Sequence, residues 1–108
     1  MPTIEFYNRL KKQCKEIHNI LTPFSGRAGP GLIKGAYLNL FSNIQNAQTG
    51  SLSLEDLLGE IKLAANVCNG LNRGGDADKN VAVDRAVALF REMQVSVENE
   101  TGGPRLTP

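Results

Sequence analysis

The chain has 108 residues and a formal net charge of +1. That length fits one domain, and 41% apolar residues can fill a core without metal or disulfide, which excludes wholesale disorder and a cysteine-stapled scaffold. The charge is uneven, +4 over residues 1–35 and −3 over residues 36–108, yet it falls short of the basic stripe of a dedicated nucleic-acid binder.

The spacing predicts a first helix from about Thr3 to Leu21. Thr3 can cap it, and Glu5 suits the positive end of the helix dipole. Phe6, Tyr7, Leu10, Cys14, Ile17 and Leu21 recur at three- and four-residue intervals and share one face, with Arg9, Lys12 and Glu16 opposite. Thr22-Pro23 ends the helix, because a residue before proline resists the α conformation.

Ser25-Gly26-Arg27-Ala28-Gly29-Pro30-Gly31 is predicted as a loop, since glycine and proline are poor helix formers. A second helix is expected from about Gly31 to Asn46. Ile33, Ala36, Tyr37, Leu40, Phe41, Ile44 and Ala47 give it a wide apolar band, and Lys34 is its one charged residue. The third helix is the best marked. Ser53 caps it with Asp56 three positions on, Leu52 and Leu57 occupy the positions of a hydrophobic staple, and Gly70 is placed to cap its end. Leu54, Leu57, Leu58, Ile61, Ala64, Ala65 and Cys68 line its inner face.

Asn72-Arg73-Gly74-Gly75 reads as a further loop. Asp76 or Asp78 then caps a fourth helix reaching about Val97, with Val83, Ala86, Val87, Phe90, Met93 and Val97 inward. The fold expected is all-α, a compact bundle of about four amphipathic helices over residues 1–97, followed by a short carboxy-terminal tail over 98–108. Residues 22–30, 47–53 and 70–77 are its connections. Leu10, Ile17, Leu40, Leu57, Ile61, Val87 and Phe90 are expected in the core.

Chemistry-bearing patterns are few. Cys14 and His18 lie one helical turn apart, the spacing of a nucleophile–base pair or of two metal ligands, but Cys14 and Cys68 both fall inside apolar stripes, where cysteine acts as a small hydrophobe. Arg27, Gly29, Gly31 and Lys34, in the glycine-rich stretch 26–34, could hold a phosphate or carboxylate at a helix start. The order of residues is not that of a P-loop, and no strand precedes it. Asp76, Asp78 and Asn80 open like a calcium loop, but Val81 and Val87 stand where glycine and glutamate are required, so capping is the simpler role. Arg9, Lys11, Lys12 and Lys15 cluster on the first helix, interrupted by Glu5 and Glu16, as a solvated face would be.

The second helix departs from the ordinary pattern. Its polar side carries Asn39, Ser42, Asn43 and Gln45 with Leu38 among them, and uncharged positions of this kind suit a covered surface. The cover is either the rest of the domain, or a partner protein or second copy meeting Leu38, Asn39 and Asn43. The leading expectation is therefore a non-enzymatic helical protein–protein interaction module, free-standing or part of a larger protein, with no cofactor and no bound metal. A small enzyme or an anion- or ligand-binding domain using Cys14 and His18, or the 26–34 loop, is the competing reading. Nucleic-acid binding through the first helix is a third. No apolar run has the length of a membrane span, and the start of the chain lacks a signal-peptide layout. With two widely separated cysteines, a soluble intracellular protein is expected.

Overall fold

Thr3 opens α1 (Ile4–Leu21), its hydroxyl accepting the Phe6 N–H at 3.3 Å. A short 3-10 turn, Thr22–Phe24, follows, and α2 runs Ala28–Gln48. Ser53 caps α3 (Leu54–Asn69), accepting from the Asp56 N–H at 3.1 Å. Asp76 caps α4 (Ala77–Thr101), accepting from the Lys79 N–H at 3.1 Å. This computed structural model describes residues 3–71 and 74–101 and places no strand among them. Asn72 and Arg73 of the expected loop, and residues 102–108 of the expected tail, lie outside the described residues.

Each helix packs on its neighbour in the chain, α4 returns to α1, and α2 and α4 touch across the short diagonal. Neighbours are antiparallel, as short connections require. Lys11 on α1 meets Gln45 and Gln48 at the end of α2, whereas His18 meets Tyr37 nearer its start. The shared core contains all seven expected residues, with Leu10, Ile17, Leu57, Ile61 and Phe90 fully buried. Cys14 and Cys68 are buried and unbridged.

Four details differ from the sequence reading. The second helix begins at Ala28, not Gly31, because Gly29 and Pro30 occupy its first turn, where an N–H has no helical partner and proline costs little. The fourth helix continues past Val97 to Thr101, whose hydroxyl donates to the Glu98 carbonyl at 3.0 Å. No strong helix breaker occurs before Gly102, so nothing local stops it at Val97. Phe41 is at the rim, 36% exposed, one step off the inward stripe of Ile33, Tyr37, Leu40 and Ile44. Leu54 and Leu58 are also only half-buried.

Gly70 caps the third helix as expected, and the fourth difference is which helix ends on a left-handed glycine. Gly70 has φ −80°, a conformation open to any residue. Gly50, φ +89°, just past α2, is a left-handed glycine. There the Ser51 N–H reaches the Asn46 carbonyl at 2.8 Å and the Gly50 N–H the Ala47 carbonyl at 3.2 Å, the Schellman pairing. A side chain at Gly50 meets no atom within 4 Å, so its cost is conformational alone. Gly50→Ala is expected to lower stability by about 1–2 kcal/mol in urea denaturation, whereas Gly70→Ala costs well under 1 kcal/mol.

Candidate functional site

α1 presents two polar stripes that the sequence alone runs together. Glu5, Arg9, Lys12 and Glu16 follow one another at helical intervals and are exposed on one side. Lys11, Lys15 and His18 form the other, which contains no acid and borders α2. α2 answers with Lys34, Leu38, Phe41 and Gln45 at the same intervals, and it has no acidic residue anywhere.

Between these stripes lies a groove of about 260 Å³ lined by Cys14, Lys15, His18, Tyr37, Leu38 and Phe41. Its floor is apolar. Leu38 is 53% exposed, and nothing among the described residues covers it. Lys11 steadies the far end, its ammonium 2.6 Å from Gln45 Oε1, 2.8 Å from Gln48 Oε1 and 6.0 Å from the centre of the Phe41 ring. That contact combines charge-assisted hydrogen bonds with a cation over an aromatic face. Among the described residues, the charged side chains along both walls are basic.

The groove continues into a second hollow of about 160 Å³, lined by His18, Leu21, Thr22, Ser25, Gly26, Pro30, Gly31, Lys34 and Tyr37. Tyr37 and His18 stand in the wall of both. The Tyr37 hydroxyl is 2.6 Å from His18 Nδ1, and the two rings meet edge to face with centroids 5.8 Å apart. Tyr37 is almost wholly buried, and that burial pushes its hydroxyl above the usual tyrosine range. A buried phenol needs a hydrogen-bond partner, and the imidazole supplies it.

The sequence-based sites are redistributed. Of Arg27, Gly29, Gly31 and Lys34, only Gly31 and Lys34 reach the hollow. Arg27 pairs with Asp76 at 2.6 Å, 49 residues away, and Gly29 lies beside Leu71. Asp76 thus serves as helix cap and ion-pair partner. The Lys79 N–H and then the Arg27 guanidinium hold its carboxyl below the usual range. The three residues of the expected partner surface also separate. Leu38 faces the groove with α1, Asn39 lines a groove with α3 and donates to Glu60 at 3.4 Å, and Asn43 is half-buried.

Sequence reasoning missed Phe41, Lys11, Lys15 and Tyr37 as parts of one site. It also missed the exposed Leu63 and Val67 beside Asn39. The available signal was the spacing of Lys11, Lys15 and His18, one stripe apart from Glu5 and Glu16.

Cys14 reaches the groove lining but is 1% exposed, and burial pushes its thiol up to about 12. Reaction at sulfur needs the thiolate, which is scarce at neutral pH under those conditions. Alkylation of native protein by iodoacetamide at pH 7 is expected to be far slower than after denaturation. A thiol reacting as fast as free cysteine in the folded chain would contradict this placement.

No protein-family model, curated protein or solved structure matches the chain.

Proposed function

We propose that this domain is a helical protein–protein interaction module whose docking surface is the groove between α1 and α2. The observation that carries the reading is the exposed Leu38 beside Phe41, on an apolar floor bordered by Lys11, Lys15 and Lys34, with no acidic side chain among the described residues lining it. An apolar groove between two antiparallel helices suits a third, amphipathic helix laid along it. The walls select its charge. Lys11, Lys15 and Lys34 favour aspartate and glutamate flanking the apolar anchors, because complementary rims steer encounter and reject like-charged partners. The partner is therefore an acidic amphipathic helix of another protein.

The buried, unbridged cysteines support action in a reducing, intracellular setting. Among the described residues no helix is long and apolar enough to cross a membrane. The raised Cys14 thiol weighs against the competing reading in which Cys14 and His18 form a nucleophile pair.

Selection from a displayed library of helical peptides tests the proposal. Recovered binders are expected to combine aliphatic or aromatic residues at helical spacing with a negative net charge, and to lose binding to Leu38→Asp. Recovery of neutral or basic binders indifferent to Leu38 contradicts it. So does tight binding of nucleic acid with a steep salt dependence that survives Leu38→Asp. Self-association lost in Leu38→Asp would replace the separate partner with a second copy of this chain.

A further inference from the structure

We propose that the hollow at the end of the groove is a binding site for a single oxyanion, phosphate or carboxylate, held by Lys34 and the His18–Tyr37 pair. This inference stands apart from the docking of a partner, since the hollow is complete within one chain.

Three observations converge on it. The space is concave, about 160 Å³, and sized for one small group rather than a chain. Its polar side chains include donors beside the apolar Leu21 and Pro30. Lys34 supplies an ammonium, Ser25 a hydroxyl, and no acidic side chain stands among the described residues lining it. The third observation is the pairing itself. A neutral imidazole and a phenol carry one transferable hydrogen each, and the 2.6 Å contact uses one of them. When Tyr37 donates to Nδ1, the imidazole keeps Nε2–H. When Nδ1–H donates to Tyr37, the phenol keeps O–H. Either arrangement leaves one donor, and both residues line the hollow.

The Gly31 backbone is not the donor. The Gly31 N–H is spent on the Arg27 carbonyl at 2.9 Å. Thr22 is also committed, donating to the His18 carbonyl at 2.8 Å. Among the side chains, recognition falls to Lys34, the His18–Tyr37 pair and Ser25. A charged donor with neutral donors beside it is the chemistry of oxyanion recognition.

Free anions and the acidic side chain of a docked helix share this chemistry. Inorganic phosphate titrated into the isotope-labelled full chain, at fixed pH and ionic strength, is followed by NMR. Saturable shifts are expected at His18, Gly31 and Lys34. The exposed Lys34→Ala variant is expected to weaken binding about tenfold or more, as loss of a charge-assisted hydrogen bond does, and Lys12→Ala on the opposite stripe to change nothing. Repeating the titration with an acidic helical peptide already bound separates the sources: mutual exclusion means a side-chain carboxylate uses the hollow, and independent binding means a free anion does. Shifts that rise linearly without saturation, or that persist unchanged in Lys34→Ala, overturn the proposal whatever the groove binds.

Discussion

Phe90→Ala is expected to lower the stability of the domain by about 3–5 kcal/mol, the largest loss for any single residue named here. Phe90 is completely buried on α4, in the one core that all four helices share. Truncation removes the transfer free energy of the ring and leaves a cavity that close-packed neighbours fill only in part. A domain of this size has a total stability of about 5–15 kcal/mol, so the variant loses a large fraction of it. Urea denaturation followed by circular dichroism measures the effect as a lower midpoint with an unchanged slope. Val95→Ala on the same helix is the control. Val95 is 54% exposed, and its truncation is expected to shift stability by about 0.5 kcal/mol or less. Equal losses for the two variants would mean that the inward face of α4 has been assigned wrongly.

Leu38→Asp is expected to leave the chain folded and to abolish docking. Had the side chain been enclosed, an unpaired carboxylate there would cost several kcal/mol, roughly. With Leu38 53% exposed, the carboxylate stays in water. The loss is confined to half of a leucine's burial and some helix propensity, about 1–1.5 kcal/mol together. Binding behaves differently. An apolar anchor at the centre of an interface typically contributes 2 kcal/mol or more, roughly, equivalent to about thirtyfold in Kd. Leu63→Asp supplies the comparison, because Leu63 is 59% exposed but lines the groove between α2 and α3. It is expected to keep full affinity. Loss of binding in both variants would point to a general surface effect, and loss in Leu63→Asp alone would move the docking surface to the other side of α2.

What could be read in advance followed from local physics. Thr3, Ser53 and Asp76 are caps because a short oxygen-bearing side chain before an apolar-periodic run has an orphan N–H within reach. The core residues on four helices were legible for the same reason: their spacing is a property of each segment alone. Helix ends were less legible. Pro30 looks like a breaker until its place in a first turn is known, and Gly70 and Gly50 cannot be told apart without φ. The site lay further out of reach. Phe41 and Ile44 are both apolar and both on α2, and only the position of α1 decides that one is rim and the other core. Tyr37 and His18 are 19 residues apart, so their pairing depends on the register of two helices. Arg27 is close to Lys34 in sequence, but an aspartate from the start of α4 takes it elsewhere.

The most direct test of the docking account is to map an acidic amphipathic helix, selected on this chain, onto its surface by NMR shift perturbation. The account predicts that the largest changes cluster at Lys15, His18, Leu38 and Phe41, with Lys12, Glu16 and the Leu63–Val67 side of α3 unmoved. Perturbations centred on α3 or α4, with the groove between α1 and α2 silent, would contradict it.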